Sequence, residues 1–156
     1  ETADENDFVW LRASASMPLF AKPVKIDGHT LLDGGLVDSI PLLFLQEKEC
    51  TKNFVVLTQP KGYRKKPARF SPIFKLFLRQ YPKVAELMKN RHLMYNQEVE
   101  YVENEAAKGN ALVLYPDRPL AIGRIEQNAD KMKAIYQHGR EVAERMMPEL
   151  KQFLKS

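Results

Sequence analysis

Leu31-Leu32-Asp33-Gly34-Gly35-Leu36-Val37-Asp38-Ser39-Ile40-Pro41 is the stretch that decides how this chain is read. An acid followed at once by two glycines, with apolar pairs on either side, places a carboxylate at the end of a buried strand. Glycine tolerates positive φ and lets backbone or side chains approach closely, so Gly34 and Gly35 let the chain turn sharply beside Asp33. A carboxylate held away from free water can be tuned for proton transfer. No partner nucleophile is visible around it, which makes this one part of an active site.

Upstream, residues 4–14 open with acids and carry Phe8, Trp10 and Leu11, the marks of a helix start and an apolar face. Ala13-Ser14-Ala15-Ser16 and then Met17-Pro18 end that helix, and the small side chains allow another backbone to pack near. Val24-Lys25-Ile26 and Thr30-Leu31-Leu32 flank Asp27-Gly28, which predicts strand, tight turn and strand, with Asp27 and His29 in the turn. Downstream, Pro41 leads a helix over 42–49. The run 53–58 is almost wholly apolar and β-branched, as in a parallel strand buried on both faces. Strand, helix, strand is an α/β order.

The second half differs in kind. Residues 71–80 read as a helix, and Pro82 opens a long helical pattern through Val84, Leu87, Met88, Tyr95, Val99, Val102 and Ala106. Gly109-Asn110 stops it, and 111–115 is another strand closed by Pro116. From Asn128 a last amphipathic helix carries Met132, Ile135, Tyr136, Val142, Met146, Leu150 and Phe153, with Pro148 set to kink or split it. The domain division expected is a core over 1–60 and a helical C-terminal extension over 61–156.

The chain has 156 residues, 44% hydrophobic and 28% charged, the balance of an ordinary globular protein. It is long enough for one domain with a real core, or for a large part of a bigger one. No apolar run approaches the roughly 18 residues of a membrane span. The first residue is Glu rather than Met, which points to a processed product or a fragment. The single cysteine, Cys50, excludes an internal disulfide and fits a reducing compartment; it reads as a small buried thiol near a helix end. A net charge of +4 is too mild to argue for nucleic acid. Scattered histidines, His29, His92 and His138, and one cysteine give no metal cluster, and no glycine-rich phosphate loop is present, so no cofactor is expected.

The positive charge is concentrated in Lys61, Arg64, Lys65, Lys66 and Arg69, with no acid between them and Pro60, Gly62 and Pro67 marking a loop. Two readings stay open: a solvated surface loop, or a contact of Arg64, Lys65 and Lys66 with anionic lipid headgroups, about 1 kcal/mol for each cation.

Ala13-Ser14-Ala15-Ser16-Met17-Pro18, a short loop, a hairpin and then Leu32-Asp33-Gly34-Gly35-Leu36-Val37 together resemble the second catalytic block of the patatin-like phospholipases. The resemblance is close over residues 8–41 and weakens through residue 58. It implies a three-layer α/β/α fold and a Ser-Asp dyad, with Asp33 as the base for a serine and Gly34 and Gly35 as the turn that lets it reach. Many members continue this motif with Asn before the proline; Asp38 and Ser39 stand there instead, which leaves Asp38 as an alternative acid. The family's glycine-rich oxyanion loop and Gly-x-Ser-x-Gly elbow have no counterpart: none of the five serines lies in such an elbow.

The implied function is the C-terminal part of a lipid acyl hydrolase, cytoplasmic or membrane-peripheral, acting on a lipid or ester. Its partners would be that substrate, a membrane surface, and the missing N-terminal part or a second copy; nucleic acid is not among them. Two rivals remain. One is a non-catalytic module that binds lipid or protein. The other is a self-sufficient hydrolase using Ser14, Ser16 or Ser39.

Overall fold

The structure is a computed structural model that describes residues 5–18, 20–69, 79, 81–123 and 126–155. The described chain is mixed α/β and forms two compact units, each assembled from two chain segments: 1–41 with 65–98, and 42–64 with 99–156.

In the first unit, α1 (Glu5–Ser14) ends where the Ser16 hydroxyl bends back to donate to the Arg12 carbonyl at 2.7 Å. Its Phe8, Trp10 and Leu11 are exposed rather than buried, while Ala13 and Ser16 lie inside. The predicted hairpin forms as β1 (Val24–Ile26) and β2 (His29–Leu31), antiparallel, with Val24 opposite Leu31. Asp27 and Gly28 both take positive φ, 49° and 77°, the geometry of a two-residue turn that matches strand twist. His29 is not a turn residue as read from the sequence; it pairs with Ile26, because the Asp-Gly turn needs only two residues. β2 is exposed over His29 and Thr30, so the expected buried strand before Asp33 is corrected to the outer arm of a two-stranded hairpin. A 3₁₀ turn over Gly34–Leu36 follows, burying Leu36. The helix α3 (Pro82–Ala107) contributes its residues up to Glu98 here, with Tyr95 buried.

In the second unit, α2 (Leu42–Glu47) buries Leu42, and beyond its end Glu49 takes a left-handed φ of 64°. Cys50, just beyond, is exposed, correcting the buried thiol read from the sequence: the left-handed turn carries it out past the helix end. β3 (Asn53–Val56) pairs in parallel with β4 (Ala111–Leu114), Asn53 opposite Ala111 and Val56 opposite Leu114. Parallel neighbours need a long crossover, which the loop after β3 and α3 provide. The parallel reading holds, but burial on both faces does not: Asn53 is inside, whereas Phe54 and Val56 are exposed. Strand residues alternate faces, and no described layer covers the face that Phe54 and Val56 share.

The last turns of α3 put Val99 and Val102 in this unit's core, Val102 with no exposed surface. Gly109, φ 79°, ends the helix, and the Asn110 N–H returns to the Glu105 carbonyl at 3.0 Å. α4 (Ala129–Phe153) starts at an Asn128 cap whose side chain accepts from the Lys131 N–H, and packs on β4. It runs through Pro148 without splitting. Of its apolar stripe only Val142 is fully buried; Met132 and Tyr136 are exposed. The helix read over 71–80 lies outside the described residues apart from Arg79, which is helical.

Candidate active-site acid

Asp33 lies two residues past β2, half-buried. Its N–H donates to the Ser16 carbonyl at 2.9 Å, so the small residues after α1 form its immediate backbone neighbour. Its Oδ1 accepts from the Gly35 N–H at 2.7 Å, capping the 3₁₀ turn. Its Oδ2 has no donor among the described residues. One oxygen is thus oriented and the other carries no such bond among the described residues.

The glycines act differently from the expectation. Neither Gly34 nor Gly35 takes positive φ, so the turn is a 3₁₀ turn and not a left-handed one. Close approach does hold at Gly35: a Cβ there would stand 3.1 Å from Asp33 Oδ1, 3.4 Å from Arg91 Nη2 and 3.8 Å from Ser39 Oγ. At Gly34 a Cβ would meet nothing within 4 Å.

α3 braces this loop, and the sequence reading did not foresee it. Arg91 Nε donates to the Gly35 carbonyl at 2.8 Å, and the Ser39 hydroxyl donates to the same oxygen at 2.9 Å. Glu98 accepts from the Ser39 N–H with both oxygens, at 3.1 and 3.2 Å. Burial pushes the Glu98 carboxyl above its ordinary range, partly offset by the N–H groups of Ser39 and Ile40, while nearby Asp38 adds to the rise. The signal available in the sequence was spacing: Arg91, Tyr95 and Glu98 recur at helical intervals on one face.

Among the described residues no serine completes a dyad. The Ser16 hydroxyl is turned to Arg12, that of Ser39 to Gly35, and Ser14 is exposed at the end of α1. Asp38 is exposed, its N–H bonded to the Gly34 carbonyl. No cluster of three metal-ligating side chains occurs among the described residues.

In the basic loop, Arg64 is exposed and ion-paired with Glu103 at 2.6 Å. Lys65 is half-buried with its ammonium 4.0 Å from the centre of the Tyr95 ring. Its backbone is clamped by Asn96, which accepts from the Lys65 N–H at 2.7 Å and donates to its carbonyl at 3.1 Å. Lys66 is exposed. No helix or strand forms over 59–69, as expected of a loop.

A second polar cluster, also unforeseen, surrounds the buried Glu105 in the other unit. It accepts from Lys108 at 2.7 Å, Gln46 at 2.8 Å and Asn110 at 2.9 Å, and the Tyr101 hydroxyl donates to Gln46. Lys108 foremost, then Asn110 and Gln46, holds the Glu105 carboxyl down at about 2.

An aspartate set on a 3₁₀ turn beyond a hairpin and braced by a long helix defines the class of protein: mixed α/β, with one oriented carboxylate. Residues 4–45 match the family model of patatin-like phospholipases, and residues 81–155 match a domain of unknown function (DUF6363). The patatin-like match covers the segment that carries Asp33. No curated protein and no solved structure matches it.

Proposed function

We propose that this chain is the acid-bearing part of a patatin-like lipid acyl hydrolase. Asp33 serves as general base to a serine nucleophile that lies outside these 156 residues. The carrying observation is the state of the Asp33 carboxylate: Oδ1 is held by the Gly35 N–H, and Oδ2 has no donor among the described residues. In the reaction, Asp33 takes the serine proton as the serine oxygen attacks the ester carbonyl. The alcohol leaves with a proton, giving an acyl-enzyme, and a water deprotonated by Asp33 then releases the fatty acid. The patatin match over 4–45 supports the reading, as does the absence of a described serine hydroxyl aimed at Asp33.

The same reading places residues 1–60 in a three-layer α/β/α catalytic core and 61–156 in an extension, the protein being cytoplasmic or at a membrane surface. No described helix is long and apolar enough to cross a membrane. The exposed Phe54 and Val56 are consistent with a sheet that other strands, or a second copy, would cover. Contact of Arg64, Lys65 and Lys66 with anionic headgroups belongs to the proposal, and unchanged sedimentation with anionic vesicles after all three are changed to Gln would remove it.

The deciding experiment is ester hydrolysis by the full-length protein, wild type beside Asp33→Asn. Asparagine can still cap the turn, so the fold should persist, while kcat should fall by about 10²- to 10⁴-fold. Equal rates would reduce Asp33 to its capping role and favour a binding module without chemistry.

A further inference from the structure

We infer that Arg91 is a positioning residue for Asp33, so that the first helix of the DUF6363 segment sets the geometry of the catalytic acid. The inference rests on Asp33 being the base, and goes beyond it by giving that helix a part in the site.

A single residue, Gly35, links the two, its N–H on one side and its carbonyl on the other. The Gly35 N–H holds Asp33 Oδ1, and two residues earlier in the same turn the carboxylate has no other donor among the described residues. The Gly35 carbonyl is held in turn by Arg91 Nε at 2.8 Å. Moving Gly35 therefore moves the carboxylate with it. The guanidinium is a rigid plane, and while its Nε holds the carbonyl, its Nη2 stands 3.4 Å from where a Gly35 side chain would begin. That nitrogen and Asp33 Oδ1, 3.1 Å from the same point, both border the space that a Gly35 side chain would enter. A lysine ammonium can offer the carbonyl a proton but not the flanking plane.

The loop does not depend on Arg91 for its existence. Ser39 Oγ also donates to the Gly35 carbonyl, and Glu98, two turns further along α3, ties down the Ser39 N–H. Loss of Arg91 should leave the turn formed but its carboxylate loosely aimed. Misplacement of a reacting group by about 1 Å costs about 10²-fold in rate.

The test is steady-state ester hydrolysis by the full-length protein carrying Arg91→Ala, Arg91→Lys or Asp33→Asn. Each variant is also followed by circular dichroism and thermal unfolding, and assayed with and without added low-millimolar guanidinium. We expect Arg91→Ala to lose about 10²-fold in kcat with KM nearly unchanged, the pattern of a lost transition-state interaction. Arg91→Lys should recover little, and guanidinium should restore part of kcat to Arg91→Ala and none to Asp33→Asn. Wild-type kcat in Arg91→Ala, with Asp33→Asn inactive, overturns the inference and leaves the base standing. A loss that comes with lowered unfolding temperature, raised KM and no guanidinium rescue also overturns it, since Arg91 would then only hold the fold. Full activity in Asp33→Asn removes the base itself, and the inference with it.

Discussion

Replacing Gly35 by alanine tests the site at its tightest point. The new Cβ would stand 3.1 Å from Asp33 Oδ1, where ordinary contact begins at 3.4 Å, so the oxygen must yield a few tenths of an ångström. It cannot swing freely, because its hydrogen bond runs to the N–H of the substituted residue at 2.7 Å. Scaling from about 10²-fold for a 1 Å misplacement, a shift of that size should lower kcat by about five- to tenfold. Stability should change little. Alanine restricts the unfolded chain, a gain of about 0.4–1 kcal/mol, and the strained charge-assisted hydrogen bond gives back a similar amount. Gly34→Ala is the steric control: with nothing within 4 Å of its Cβ, it should keep the stabilising gain without displacing the carboxylate. The assay is kcat and KM for ester hydrolysis by the full-length protein, with thermal unfolding measured alongside. Gly35→Ala turning over at the wild-type rate would refute the proposal that Asp33, with Oδ1 held against Gly35, acts as the base.

Glu105 is held down at about 2 from an ordinary 4.5, so it contributes stability above pH 4.5 that is lost as pH falls toward 2; urea midpoints measured across that window should drop, and should drop less in Glu105→Gln. Glu98 has the opposite sign: its carboxyl is raised above 4.5, so the stability it contributes is present below 4.5 and declines as pH rises through its folded value. Glu98→Gln should flatten that limb of the same titration, and an unaltered limb would contradict the buried-carboxylate account. Asn96→Ala removes the two bonds from Asn96 to the Lys65 backbone and should cost about 1–2 kcal/mol, with faster protease cleavage in 61–69; an unchanged cleavage rate would show that these two bonds do not hold the loop.

Local signals carried the reading of the elements. Asp27-Gly28 specified its hairpin because two positive φ values are cheap only for such residues, and Gly109 specified the end of α3 for the same reason. The β-branched run after Asn53 announced a parallel partner, which β4 proved to be. Asp33 stood out because its two glycines follow a helix ending in small residues and proline and then a hairpin, and the patatin match falls on that same segment.

Burial and bracing were another matter. Whether Phe54 faces a neighbouring layer or solvent depends on what packs there, and the strand's own alternation cannot say; it is exposed. Nor could Cys50 be placed from its helix, since the left-handed turn at Glu49 intervenes. Arg91 and Gly35 are 56 residues apart, and nothing local to either announces that a guanidinium will meet that carbonyl. By itself the sequence determined where the chain turns and which acid is set apart, because those depend on backbone preferences within a few residues. Only the tertiary structure decided what braces the turn beside that acid, because Arg91 reaches the Gly35 carbonyl from a helix far along the chain.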